Sequence, residues 1–128
     1  YLLEHTEKSL FIGLAQVKPG NRIGDIGHAI ETYAKEHKLG VVRELCGHGV
    51  GTSVHEDPEV PNYGTPNTGP RLKEGMVIAV EPMLTLGSPR IFVHDNDWTI
   101  DTQDGSPSAH FEHTVVVTAD GYEILTGE

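Results

Sequence analysis

The hydrophobic period of this chain changes at Gly40, and that change constrains the fold more than any other feature. Before it, Leu3, Leu10, Leu14 and Val17 recur at spacings of seven, four and three. They form the stripe of an amphipathic helix over residues 1–17, with Glu4, Glu7 and Lys8 left for solvent. Lys18-Pro19-Gly20-Asn21 ends that pattern. A second helix follows, with Ile23, Ile26, Ile30, Tyr33 and Ala34 on one face and Gly40 at the glycine-favouring position just past its end. Two helices joined by so short a turn make an αα-hairpin.

After Gly40 the apolar runs are strand-like and broken by turn residues. Residues 41–46 read as a short strand leading into a glycine-rich loop, and residues 76–81, 91–94, 109–118 and 122–125 as further strands, the last two joined by the Asp120-Gly121 turn. Asp95-Asn96-Asp97 is a turn signal before Trp98-Thr99-Ile100, and residues 101–107 form a polar hairpin. Residues 56–73, with four prolines, read as a long irregular loop. Helices first and strands later predict an α+β domain over residues 1–128, with an antiparallel sheet covered on one face by the helix pair.

The chemistry concentrates in Cys46-Gly47-His48-Gly49-Val50-Gly51-Thr52-Ser53-Val54-His55-Glu56-Asp57-Pro58. Glycines on alternate residues leave the His48 imidazole projecting from a bare ribbon, which suits metal coordination or a hydrogen bond to a substrate. Glu81 ends the run Met76-Val77-Ile78-Ala79-Val80, and Glu112 stands before His113-Thr114-Val115-Val116-Val117. Carboxylates inside apolar strands are paired or bind metal. His48, Glu81 and Glu112 therefore make a first shell for a divalent metal.

Other chemistries fit less well. His55-Glu56 lacks the second histidine of a His-Glu-x-x-His helix, and Gly51-Thr52-Ser53-Val54-His55 lacks the second glycine of a nucleophile elbow. No glycine loop opening a helix is present to cradle phosphate. Cys46 reads as a small buried side chain rather than a nucleophile, and as the single cysteine it excludes an internal disulfide and fits a reducing cytoplasm. A net charge of −10 argues against nucleic acid as a partner. No run approaches the ~18 apolar residues of a membrane span. A chain that opens on Tyr1 is expected to be processed or to belong to a longer product. His5, His28, His37 and His94 are expected on the surface, and His113 on the face opposite Glu112; His110, just before Glu112, reads as an ordinary polar strand residue ahead of a support behind the metal ligands.

Together, Cys46-Gly47-His48-Gly49-Val50-Gly51, His55-Glu56-Asp57-Pro58, Gly75-Met76-Val77-Ile78-Ala79-Val80-Glu81-Pro82-Met83 and Phe111-Glu112-His113-Thr114, with Trp98-Thr99 between, resemble the type I methionine aminopeptidases across the whole chain. The resemblance implies a pita-bread fold and removal of the initiator methionine from the N-terminal Met peptides of nascent cytoplasmic proteins. It also implies two divalent metal ions per complete site, of Co, Mn, Fe or Zn. Carried onto this sequence, His48 and Glu81 bind one metal and Glu112 bridges both. Glu81 is also the proton shuttle, His55 hydrogen-bonds substrate and stabilises the tetrahedral intermediate, and Trp98 and Cys46 line the substrate pocket.

The family site has five protein ligands, two of them aspartates eleven residues apart, and no such pair occurs here: Asp25 is followed eleven positions later by Glu36. The resemblance therefore implies the carboxyl-terminal half of the fold, with the amino-terminal half missing. Two readings of different class follow: a catalytic half of an aminopeptidase, or an inactive half-domain that survives by pairing with another chain. A proline-specific aminopeptidase of the same fold ranks below them, lacking the His-Glu-Asp-Pro continuation.

Overall fold

The structure, a computed structural model, describes residues 1–43, 45–50, 56–87, 91–93, 100–102, 105 and 107–126. The first helix, α1 (Leu2–Leu14), is shorter than the apolar stripe suggests, and residues 15–17 turn back beneath it. Its buried face carries Thr6, Ser9, Leu10, Gly13 and Leu14, while Leu3 is exposed. The face is rotated because small residues set the helix contact: a side chain at Gly13 would collide with Ile30 of the second helix. Thr6 and Ser9 are tolerated there because their hydroxyls donate to the carbonyls of Leu2 and Thr6 at 2.7 Å each.

The second helix, α2 (Ile23–Glu36), starts where the Asp25 carboxylate accepts the Arg22 N–H at 2.7 Å, satisfying a free helix-end donor. Its end differs from expectation. Lys38, at φ +58°, takes the left-handed position assigned to Gly40, and the Leu39 N–H donates to Ala34 O and the Lys38 N–H to Lys35 O, a Schellman closure. Gly40 is thereby released into β1 (Gly40–Val41).

Where the first turns of α1 meet the end of α2, His5 sits between Tyr33, whose hydroxyl lies 2.6 Å from its Nδ1, and the His37 ring, 4.2 Å away centre to centre. Partial burial and then His37 push the His5 imidazole below its ordinary 6.5. The folded chain thus favours neutral His5, so the unfolded chain takes up the proton first on acidification. Thermal stability should fall as pH drops through the ordinary histidine value of 6.5, and His5→Gln should lose less over the same range. Parallel melting curves of the two chains against pH check this; equal losses would remove His5 from the effect.

The remaining strands are β2 (Gly47–Gly49), β3 (Glu56–Val60), β4 (Val77–Val80), β5 (Met83–Thr85), β6 (Ile91–Val93), β7 (Ile100–Thr102), β8 (Ser108–His110), β9 (His113–Val117) and β10 (Tyr122–Ile124). A five-stranded sheet runs β10-β9-β4-β2-β3, a three-stranded one β1-β5-β8, and β6-β7 form a hairpin. Every pairing among them is antiparallel.

Three sequence expectations change. The strand expected over 41–46 is only the end of β1. The loop expected over 56–73 begins with β3, whose Pro58 is compatible with an edge position. The strand expected over 109–118 breaks at Phe111-Glu112, opposite a matching break at Glu81-Pro82. At those two breaks the β4–β9 ladder (Val80 opposite His113) gives way to the β5–β8 ladder (Met83 opposite His110), and the paired chain passes from one sheet into the other.

The helix pair packs on one face of the five-stranded sheet. Leu10, Leu14, Ile26 and Ile30 meet Ile78, Val80, Val115 and Val117 in one core, as the α+β reading requires. Residues 61–70 are drawn tightly onto α2, because a side chain at Gly24 or Gly27 would strike the carbonyls of Thr65 or Tyr63. Glu31 of α2 accepts the Gly64 N–H and pairs with Lys35 and Arg43. Burial raises the Glu31 carboxyl, but that N–H and the two cations outweigh it and hold it below the ordinary 4.5.

Candidate metal centre

Strand alternation places the site. Ile78, Val80 and Val115 point at the helices, so their alternates point the other way. In the ladders His48 lies opposite Ala79, and Ala79 opposite Thr114. Two residues beyond Ala79 is Glu81, and two before Thr114 is Glu112, so the three sequence-predicted ligands share the face turned away from the helices. His113 takes the opposite face, as expected, with its ring 5.7 Å from that of Phe11 on α1.

The side chains converge. Nitrogen or oxygen ligand atoms of His48, Glu81 and Glu112 all lie within 4.8 Å of one another. His48 Nδ1 is 3.0 Å from the Gly49 carbonyl, which fixes Nδ1 as the donor and turns Nε2 toward Glu81, 3.0 Å from its Oε2. Glu81 is buried, His48 half-buried and Glu112 exposed, so the cluster opens outward at Glu112. A buried carboxylate facing an imidazole nitrogen whose partner nitrogen is already committed needs a cation or a proton between them. One imidazole and two carboxylates suit a divalent first-row ion such as Mn, Fe, Co or Zn rather than a soft monovalent one, so the residues present fit the implied metal.

His110 takes the lower-ranked of its two readings. Its Nε2 is 3.4 Å from Glu81 Oε1, so it belongs to the cluster rather than being an ordinary strand residue. Its position two residues before Glu112 put it on the same side of the chain, but the strand break between them hid where it lands. Cys46 is half-buried and a free thiol. Burial first and then the Glu59 carboxylate push that thiol above its ordinary value, against an opposing hydrogen bond from the Val60 backbone and with a smaller push from Glu81. That favours the protonated thiol over a nucleophilic thiolate. His55 and Trp98 lie outside the described residues. A cavity of about 690 Å³ beside β3, lined by Ile23, Gly24, Pro58, Pro61 and Tyr63 among others, contains none of the three ligands. Among the described residues, no helix is long and apolar enough to cross a membrane.

Residues 1–119 match metallopeptidase family M24. The chain is 54% identical over 125 residues to methionine aminopeptidase 1 of Bacillus subtilis, covering 98% of this chain and 50% of that one. The crystal structure of a methionine aminopeptidase from Thermotoga maritima superposes with a TM-score of 0.95 at 46% identity, over 99% of this chain and 51% of that one. A prolidase from Pyrococcus horikoshii superposes at 0.73 and 24% identity over 98% of this chain and 30% of that one, a likeness of fold alone. The chain thus spans about half the length of the curated relatives it matches, and its architecture is half of the pita-bread fold.

Proposed function

The chain belongs to metallopeptidase family M24, and on that premise we propose that it is the carboxyl-terminal half of a methionine aminopeptidase. The intact enzyme would remove the N-terminal methionine from nascent proteins in the cytoplasm. The observation that carries this reading is the convergence of His48, Glu81 and Glu112 on one face of the sheet, in a chain 54% identical to a methionine aminopeptidase.

Two divalent ions would be held in the complete site by His48, Glu81 and Glu112, with a further pair of carboxylates supplied by the missing half. Bound there, the ions supply Lewis acidity toward a peptide carbonyl and toward water. The other steps fall to this chain. The Gly49 carbonyl engages Nδ1 of His48 and so presents Nε2 as the coordinating nitrogen. Glu81, with one oxygen toward His48 and the other toward His110, accepts a proton from the attacking water and returns it to the leaving amine. His55 donates to the substrate carbonyl, and Trp98 and the protonated Cys46 form part of the wall around the methionine side chain.

The test is a chimera in which this chain replaces the carboxyl-terminal half of the Bacillus subtilis relative. The chimera should release methionine from a Met-Ala-Ser peptide when given Mn or Co, and residues 1–128 alone should not. A folded, metal-loaded chimera without turnover would overturn the assignment. Turnover by the isolated chain would overturn the half-site reading.

A further inference from the structure

We propose that Asn62 is a positioning residue for the metal centre, its side-chain amide fixing the backbone from which Glu81 and His48 reach the ion. The inference rests on the metal-binding reading of His48, Glu81 and Glu112. Asn62 has no solvent exposure, and its Nδ2 donates to two carbonyls at once: that of Leu45 at 3.2 Å and that of Glu81 at 3.1 Å. Both carbonyls lie between strands, outside the ladders. Leu45 lies between β1 and β2, three residues before His48, and Glu81 lies in the gap between β4 and β5. Pro82, which follows Glu81, has no N–H to anchor the corner from its own side. One amide therefore ties the segment delivering the imidazole to the residue delivering the buried carboxylate.

A second observation separates this role from ordinary core packing. Asn62 Oδ1 is buried with no hydrogen-bond partner among the described residues. An orphaned buried acceptor is unfavourable, and a leucine of similar volume would not carry it. The reverse orientation of the amide would aim Oδ1 at two carbonyl oxygens, so the donors' assignment is fixed by their partners. Asparagine here is thus explained by what Nδ2 holds rather than by the stability of the core around it. Carboxylate ligands whose outer supports are removed keep their chemistry and lose their aim.

The experiment titrates the full chain with Co(II), following the visible absorption band and the heat of binding, in the wild type and in Asn62→Leu, Asn62→Ser and Val117→Ala. Val117 is a buried core residue facing the helices, so its truncation lowers stability without touching the ligands. Asn62→Leu removes both donors and should weaken Co(II) binding about tenfold and alter the band. Asn62→Ser keeps one donor in a smaller side chain and should fall between, which keeps the test decisive if the leucine variant does not fold. Val117→Ala should melt earlier yet bind Co(II) as the wild type does. Asn62 variants that bind Co(II) with wild-type affinity and spectrum would overturn the positioning role while leaving the metal centre intact. A wild-type chain that binds no Co(II) would overturn both.

Discussion

Glu81→Gln and Glu112→Gln should each lower methionine release by the chimeric enzyme about 10³-fold, Glu81 as the carboxylate that handles the proton and Glu112 as a carboxylate that holds the metal. The two should differ on the isolated chain. Glu81 is buried between His48 and His110, where its charge is poorly screened, whereas Glu112 is exposed. Removing the buried charge should abolish single-ion binding, while removing the exposed one should only weaken it. Stability should move the other way. A buried carboxylate with no cation is unfavourable, and an amide of the same shape relieves it, so metal-free Glu81→Gln should melt at or above the wild-type temperature. Calorimetric titration with Mn and a thermal melt on each variant check the pair of claims. Undiminished Mn binding by Glu81→Gln would remove this residue from the site.

The contrast between those two glutamates also shows what was legible in the sequence. Their placement inside apolar runs marks them as candidate ligands, the structure brings both to His48, and alternation along the strands separates Glu112 from His113. The α+β class follows from the change of period at Gly40, because burial of one helix stripe against one sheet face is the main organising force here. What escaped was the corner. Nothing local distinguishes one ten-residue strand from two short strands separated by Phe111 and Glu112, since the break lies opposite one at Glu81-Pro82, far away in sequence. His110 reaches Glu81 through that bend, which is why its place behind the ligands ranked below an ordinary strand position. β3 was hidden by its proline and three acidic residues, which an edge strand accepts and an interior one does not. Lys38 replaced the expected glycine at the helix end because the closing hydrogen bonds to Ala34 and Lys35 outweigh the strain of a left-handed lysine. The roles assigned to His55 and Trp98 fall outside the described residues.

Gly47→Ala should be strongly destabilising for the addition of one methyl group. Gly47 opens β2, opposite Val60 of β3, and an added Cβ would land on the carbonyl oxygen of Ala79 in β4 and 3.2 Å from Cβ of Val60. The obstruction is backbone on one side and a fully buried side chain on the other, so neither moves aside cheaply. β2 would have to lift from β4, and His48 is the next residue along it. The loss should reach about 3 kcal/mol, the upper range for overpacking a filled interior, equivalent to roughly 10 °C in a domain of this size. Co(II) affinity should fall with it, because the imidazole and the Glu81 carboxylate are carried by the two strands being pushed apart. Gly121→Ala is the matched control: the nearest atom to its added methyl is the Val17 carbonyl oxygen at 3.9 Å, ordinary contact, and it should melt close to wild type. Thermal melts of the two variants beside the wild type, each with and without Co(II), measure both effects. If Gly47→Ala melts within about 2 °C of Gly121→Ala, a difference well under 1 kcal/mol, then β2 yields without strain, and close packing against β4 is not what holds His48 at the metal centre.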